Sequence, residues 1–503
     1  LFTPIISTAQ SETQPGYRAS LYDTVWPADM ANLNRTNSVV NAGLPRGTLS
    51  EDVMIETVEM PFPAFAYTKD DDEIFVLGGT PLALDKFVSN MDGMPQGETK
   101  AEPHLTKYIP STGELIRLDL NLGKTVPYIG GALVHANGYI YVVSQAHLYK
   151  IDTDSMTIAK SAGLPTVAAP NEETTSYNGL ATSSNGNLLT KFFALGGGEG
   201  ASDSIFLQID PDTLEVVSSI NYPGASPRLA VEQDAQGNEH LYHLNPSITY
   251  RFLIEDEALT LDENWVARFD PYNTGNDIND EPTSPVIHNG RVHYTTNTKF
   301  SSPGAMKIFW QDMEKAYTKD APPLTGPYLF DESAKNGWSF FHLSIDEATG
   351  IVIGNDQGNG LLVALKIDDD GNVTELWEKN LQVSARPAIV SDRKMVYATD
   401  FVNGNNDLVV LDLESGEELI RKTTPAKIAP INPNPINTYG RCNIALAISL
   451  ICCTPGIITS NAHTPTAQIT SIPLITFHNS PYSIGPLDAY SVSSMSTGDD
   501  KTA

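Results

Sequence analysis

Residues 386–422 read RPAIVSDRKMVYATDFVNGNNDLVVLDLESGEELIRK. A short apolar stretch, PAIV, runs into a polar turn, SDRK. A β-rich stretch, MVYATD, follows and leads to a loop rich in Gly and Asn. A third apolar stretch, LVVLDL, turns at ESG into a fourth, EELIRK. Branched and aromatic residues mark strands, and Gly, Asn and Asp clusters mark the hairpin turns between them. The segment therefore predicts four antiparallel strands joined by short connections, which is one blade of a propeller.

The same order of strands and turns recurs along the chain. It is found in HLSIDEATGIVIGNDQGNGLLVALKIDDDGNVTELWEKN (342–380) and in GALVHANGYIYVVSQAHLYKIDTDSMTIAKS (131–161). Asn178 opens another copy, which continues through SIFLQIDPDTLEVVSSI (204–220), and Ser284 opens one that reaches VHYTTN. Two further copies start near Phe62 and near Ser226. Units of this kind, roughly every 40 to 55 residues, predict an all-β propeller of about seven four-stranded blades. An eighth blade requires the chain beyond residue 432 to complete one. A pair of β-sandwiches also has many short strands, but not this fixed internal order of turns. The organisation expected is a mobile segment over 1–21, the propeller over 22–431, and a Ser/Thr/Pro-rich tail over 432–503. The tail contains no Glu, in a protein with 61 acidic residues. It is read as part of a closing blade, as a flexible extension, or as a reading-frame artefact.

Lys and Arg number 31 against 61 Asp and Glu, a formal charge of −30. Such a surface repels nucleic acid and anionic membranes, so neither is expected as a partner. A small-molecule or carbohydrate ligand is expected instead, and a protein partner stays open. The three cysteines lie at 442, 452 and 453 and form no CxxC pair, which argues against structural zinc. The chain opens on Leu1 rather than Met, and the expectation is a removed leader and a secreted or periplasmic location.

The third-to-fourth-strand turn in VVLDLESGEEL and the Trp-containing opening YDTVWPADMANLNRTN (22–37) resemble the PQQ-like, or quinoprotein alcohol dehydrogenase-like, propellers over residues 22–428. The resemblance implies an architecture. The superfamily includes quinone-dependent dehydrogenases and also propellers that hold no cofactor. In the enzymes, a vicinal disulfide clamps the quinone beside calcium. The vicinal pair Cys452–Cys453 falls outside the blade repeat, so PQQ is not the expected cofactor.

The start of each innermost strand borders the channel of a propeller. Gly131, Asn178, Arg228, Ser284, His342 and Arg386 align at that position. Two arginines and a histidine then converge on one channel mouth of an acidic protein, and arginine forks bind carboxylate, sulfate or phosphate. The expected function is binding of an anionic, carboxylate-bearing ligand or acidic sugar, with Arg386, Arg228, Asn178 and Ser284 as ligand-binding residues. The competing structural reading pairs these cations with acidic neighbours such as Asp356 and Asp400, at the ends of the second strands. A second functional reading is a lyase or hydrolase of an acidic carbohydrate or ester, with His342 as base and Tyr177 as proton donor. A third is a quinone-dependent dehydrogenase. Fold alone does not separate the three, nor enzyme from binding protein. Asp277, Asn279 and Asp280, in the loop DPYNTGNDINDEP, supply oxygen ligands that suit calcium, without the full EF-hand spacing.

Overall fold

The computed structural model describes residues 13–423, apart from gaps of which the longest are 80–101, 121–129, 167–174, 195–203, 270–281 and 297–304. It also describes the strand Ile472–His478. The protein is all-β, a seven-bladed propeller, and the described residues include no α-helix, only short 3-10 turns. The innermost strands of blades 1 to 7 are Pro63–Asp70, Gly131–Val134, Thr175–Thr182, Ala230–Gln233, Val286–His288, Ser344–Ile345 and Ala388–Val390. Each pairs antiparallel with the next strand of its own blade, and innermost strands of successive blades touch.

Burial follows this geometry. Second strands such as Ile140–Ser144 and Ile351–Asp356 are buried throughout, because neighbouring blades cover both faces. Outermost strands such as Thr157–Gly163 and Val216–Tyr222 are largely exposed. The turn before several outermost strands is an Asp-x-x-Ser/Thr motif. Asp152 accepts the Ser155 N–H at 2.8 Å, Asp210 the Thr213 N–H at 2.7 Å, and Asp412 the Ser415 N–H at 2.8 Å. A carboxylate there holds the turn by local hydrogen bonds, which makes the motif visible in sequence.

Blade 5 departs from the rule. Its sheet has three strands, and a less regular segment takes the fourth place: Ile308 donates to Pro327 and Leu329 donates to Met306. The chain just before that segment pairs with blade 4, where Trp265 bridges Tyr317 and Phe269 bridges Leu324. Ile472–His478 pairs in parallel with Val53–Glu59, in register from Val53 with Ile472.

The N-terminal segment decides what the channel contains. Its backbone carbonyls accept hydrogen bonds from the innermost strands in turn. Trp26 accepts from Thr68 (blade 1), Pro27 from Val134 (blade 2), Leu33 from Val231 (blade 4), Asn34 from Ile287 (blade 5), Thr36 from Ile345 (blade 6) and Asn37 from Ile389 (blade 7). Ala19 accepts the Thr182 hydroxyl of blade 3. Ser38–Val39 then adds in parallel to the innermost strand of blade 7. Residues 17–39 are thus a plug fastened to every blade. The boundary expected at residue 22 falls inside it, since the Tyr17 hydroxyl already donates to Glu239 at 2.6 Å. The tight coil needs left-handed backbone at Met30, Ala31, Arg35 and Asn37. Asn tolerates that conformation, whereas Met and Ala pay about 1 kcal/mol each.

Candidate functional site: an arginine box in the channel

The ring of hydrogen bonds to the plug fixes the register of the blades. Counting back three residues from each donor gives Phe65, Gly131, Arg228, Ser284, His342 and Arg386. Five of the six residues aligned from sequence therefore fall at one position, and Phe65 joins them from blade 1; Asn178 of blade 3 is not placed by this count.

At the centre of this ring stands Asp29, carried by the plug and buried. Its Oδ2 accepts from Arg35 Nη1 at 3.1 Å and from Arg228 Nη1 at 3.0 Å, and its Oδ1 accepts from Arg386 Nη1 at 3.2 Å. Three guanidinium groups share one carboxylate. The Phe65 ring lies against two of them, 4.3 Å from Arg228 Cζ and 5.6 Å from Arg386 Cζ, in cation–π geometry. Burial alone would raise the Asp29 pKa, but Arg228, Arg35 and Arg386 together outweigh it and hold the carboxyl far below its ordinary range. Burial draws Arg35 down to about 10 against the pull of Asp29, so it stays charged at neutral pH.

The residues around the box position it. Arg228 donates its backbone N–H to Ser284 Oγ at 2.7 Å, and Ser284 donates its own N–H to His342 Nδ1 at 3.0 Å, linking blades 4, 5 and 6. The Arg228 side chain reaches across to blade 2, where Nη2 donates to the Gly130 carbonyl at 2.7 Å. Two glycines make that path. A Cβ at Gly131 would lie 2.9 Å from Gly179 Cα and 3.2 Å from Arg228 Nη1. Gly131→Ala is expected to lower stability by about 1–3 kcal/mol, measured as the denaturant midpoint. Gly163→Ala, where nothing lies within 4 Å, is the matched control and is expected to stay within about 0.5 kcal/mol of wild type.

His342 differs from the base expected of it. Its Nδ1 already accepts a backbone N–H, so the neutral ring carries its proton on Nε2 and presents a donor. Burial first, and the arginines next, push its pKa well below the ordinary value. Tyr177 is not brought into the box. Its hydroxyl donates to Pro165 at 2.6 Å, its ring packs edge-on against Phe192, and it belongs to the core of blades 2 to 4. Asn178 is buried at the bulge of the innermost strand of blade 3. The channel cations do pair with an acidic neighbour, but that neighbour is Asp29 of the plug and not Asp356 or Asp400. Asp400 takes Arg421 Nη1 at 2.9 Å and the Gln382 N–H at 3.0 Å, while Asp356 takes the Trp338 and Asn359 N–H groups. Asp277, Asn279 and Asp280 lie outside the described residues, as do Cys442, Cys452 and Cys453.

Several donors of the box have no partner among the described residues: Arg35 Nε and Nη2, Arg386 Nε, and His342 Nε2. A small cavity opens beside Arg386, lined by Asp29, Met30, Asn37, Phe65 and Trp26 among others. Sequence reasoning found Arg228, His342 and Arg386 through the repeat. It missed Asp29 and Arg35, which lie in the plug outside any repeat. The available signal was a charged pair within an Asn-rich stretch with no strand periodicity.

No family model matches the chain, and no curated protein matches it by sequence. Solved structures do resemble it. The dihydro-heme d1 dehydrogenase NirN, in complex with DHE, shares 11% identity over 78% of this chain and 79% of its own, with a TM-score of 0.42. The Pseudomonas aeruginosa periplasmic gluconolactonase PpgL shares 12% over 73% and 85%, with a TM-score of 0.37. Virginiamycin B lyase from Staphylococcus aureus shares 10% over 73% and 85%, with a TM-score of 0.34. At these values no activity carries across to this chain.

Proposed function

We propose that this propeller binds an anionic small molecule, carboxylate-bearing or an acidic sugar, at the mouth of its channel. The observation that carries the proposal is the set of buried donors on Arg35, Arg386 and His342 that have no partner among the described residues. Unsatisfied buried donors are costly, and charged ones more so, which favours an occupant with anionic oxygens. The cavity has room for about one water-sized group beside Arg386, with Phe65, Trp26 and Met30 in its wall, so a single ligand oxygen would enter it and the rest of the ligand would lie outside. Kinship with the PQQ-like propellers is part of the proposal and rests on the blade turns, without a quinone.

The test compares a charged with a neutral sugar on the purified full chain. Glucuronate is expected to raise the melting temperature and glucose is not, and Arg386→Ala is expected to abolish the shift. A protein unmoved by glucuronate and by simple carboxylates alike would sink the reading. So would an Arg386→Ala variant that responds like wild type.

A further inference from the structure

The chain contains two acceptor sequences for N-linked glycans, Asn34-Arg35-Thr36 and Asn372-Val373-Thr374. We infer that they answer glycosylation in opposite ways. Asn372 accepts a glycan on the finished propeller, whereas Asn34 is modified before the blades form, and its glycan then keeps the plug from seating. The inference is independent of the anion reading, because it rests on where the two amide nitrogens lie.

Asn372 ends the turn between the third strand of blade 6, Leu361–Ile367, and its outermost strand, Val373–Asn380. Asn372 and Thr374 are both exposed. The Asn372 Nδ2 group donates to Asp368 Oδ2 at 2.8 Å, an exposed contact that water can replace. The turn is also held by backbone groups, since Asp368 donates to the Asn372 carbonyl at 3.1 Å and Arg291 donates to the Asp368 carbonyl at 2.7 Å. The third strand runs in the same direction as the innermost one. The turn therefore stands at the far end of the blade from the arginine box, and a glycan there leaves the channel mouth clear.

Asn34 lies in the plug, 1% exposed, and Thr36 is fully enclosed. The Asn34 Nδ2 group donates to Glu232 Oε2 at 2.6 Å and to the Val231 carbonyl at 3.3 Å, and Oδ1 accepts the Tyr17 N–H. The atom that would carry the sugar thus points into the innermost strand of blade 4, and a sugar ring would have to displace that strand. Burial gives no protection during synthesis. Val231 and Glu232 follow Asn34 by 197 and 198 positions. At about 5–20 residues per second, about 10–40 seconds pass before they are made. Throughout that time the first sequence is an open peptide, the form that a glycan-transferring enzyme takes.

The experiment expresses the full chain in a glycosylating secretory host and in the bacterial cytoplasm, and maps glycan occupancy by peptide mass spectrometry. Folded protein secreted by the host is expected to carry a glycan at Asn372 and none at Asn34, with chains modified at Asn34 confined to a retained, protease-sensitive fraction. Thr36→Val removes the first acceptor sequence, at the cost of the hydrogen bond from Asn32 Nδ2 to Thr36 Oγ1. The ratio of its secreted yield to its folded bacterial yield is expected to rise severalfold over wild type, and the bacterial arm absorbs any effect of the lost hydrogen bond on folding. Thr374→Ala is expected to lose the Asn372 glycan with no change in melting temperature. Folded, secreted protein bearing a glycan at Asn34 would overturn the block, as would an unchanged ratio for Thr36→Val. Asn34 unmodified in every fraction would overturn its modification before folding. Secreted protein without a glycan at Asn372 would overturn the surface site.

Discussion

Asp29→Asn is expected to destabilise the protein by about 3–5 kcal/mol, read as a lower denaturant midpoint with an unchanged slope. Asparagine keeps the size and one acceptor oxygen but removes the charge. Arg35, Arg228 and Arg386 would then face one another in a buried site with no carboxylate between them. The plug would also lose its ion pairs to Arg228 of blade 4 and Arg386 of blade 7. Removing one of the cations at the same time should recover part of the loss. In a double-mutant cycle, Asp29→Asn with Arg228→Met is expected to show a coupling of about 1–3 kcal/mol. Additive single effects would mean that the box is not the unit described.

Acid is expected to unfold this protein in two stages. His243, His293 and His342 are fully enclosed, and burial holds all three below the ordinary value of 6.5, His293 at about 3. A group whose folded pKa is depressed is protonated first in the unfolded chain, so unfolding takes up protons below that value. The resulting stability is complete above pH 6.5 and declines as the pH falls. Well below pH 6.5, each such histidine costs about 1.4 kcal/mol per pH unit, so the three together cost about 4 kcal/mol per unit. Asp29 follows the same sign at lower pH. Its contribution is present above the ordinary carboxyl value of 3.8 and is lost as the pH falls from there toward its own depressed pKa. Denaturation followed from neutral pH to pH 4 should show the first decline beginning near pH 6.5. A flat profile down to pH 5 would contradict the enclosed, neutral state of these rings. A His243→Phe variant should lose part of the slope, because that ring packs against Phe206 with neither nitrogen hydrogen-bonded among the described residues.

The blades were legible because their physics is local. Alternation, β-branched residues and Asp-x-x-Ser/Thr turns each act within a few residues, and their fixed order gave the repeat. That repeat also carried Arg228, Ser284, His342 and Arg386 to equivalent places without any knowledge of contacts. The plug was not legible, because its shape is imposed by partners far along the chain. Left-handed residues at Met30, Ala31 and Arg35 have no sequence preference behind them. Roles were harder to read than positions. His342 was placed correctly on the ring, yet its chemistry depends on the Ser284 N–H, which only the folded register of blades 5 and 6 supplies. Tyr177 sits one residue from an aligned position, and in a strand one residue is enough to turn a side chain to the other face.

The fastening of residues 17–39 to every blade also sets a timetable. The plug is synthesised first, but its hydrogen-bonding partners are spread to the far end of the propeller, as Asn37 meets Pro387 of blade 7, 350 positions later. At about 5–20 residues per second, some 20–70 seconds separate the two on a ribosome. During that interval the left-handed coil lacks its later anchors and Asp29 still awaits Arg228 and Arg386. Each finished blade offers one more hydrogen bond to a strand that has been waiting, and the seventh closes the ring. The chain therefore carries its own gauge for the number of blades: a missing copy would leave one carbonyl of the plug without its donor, and an extra copy would bring a donor with no carbonyl to meet it.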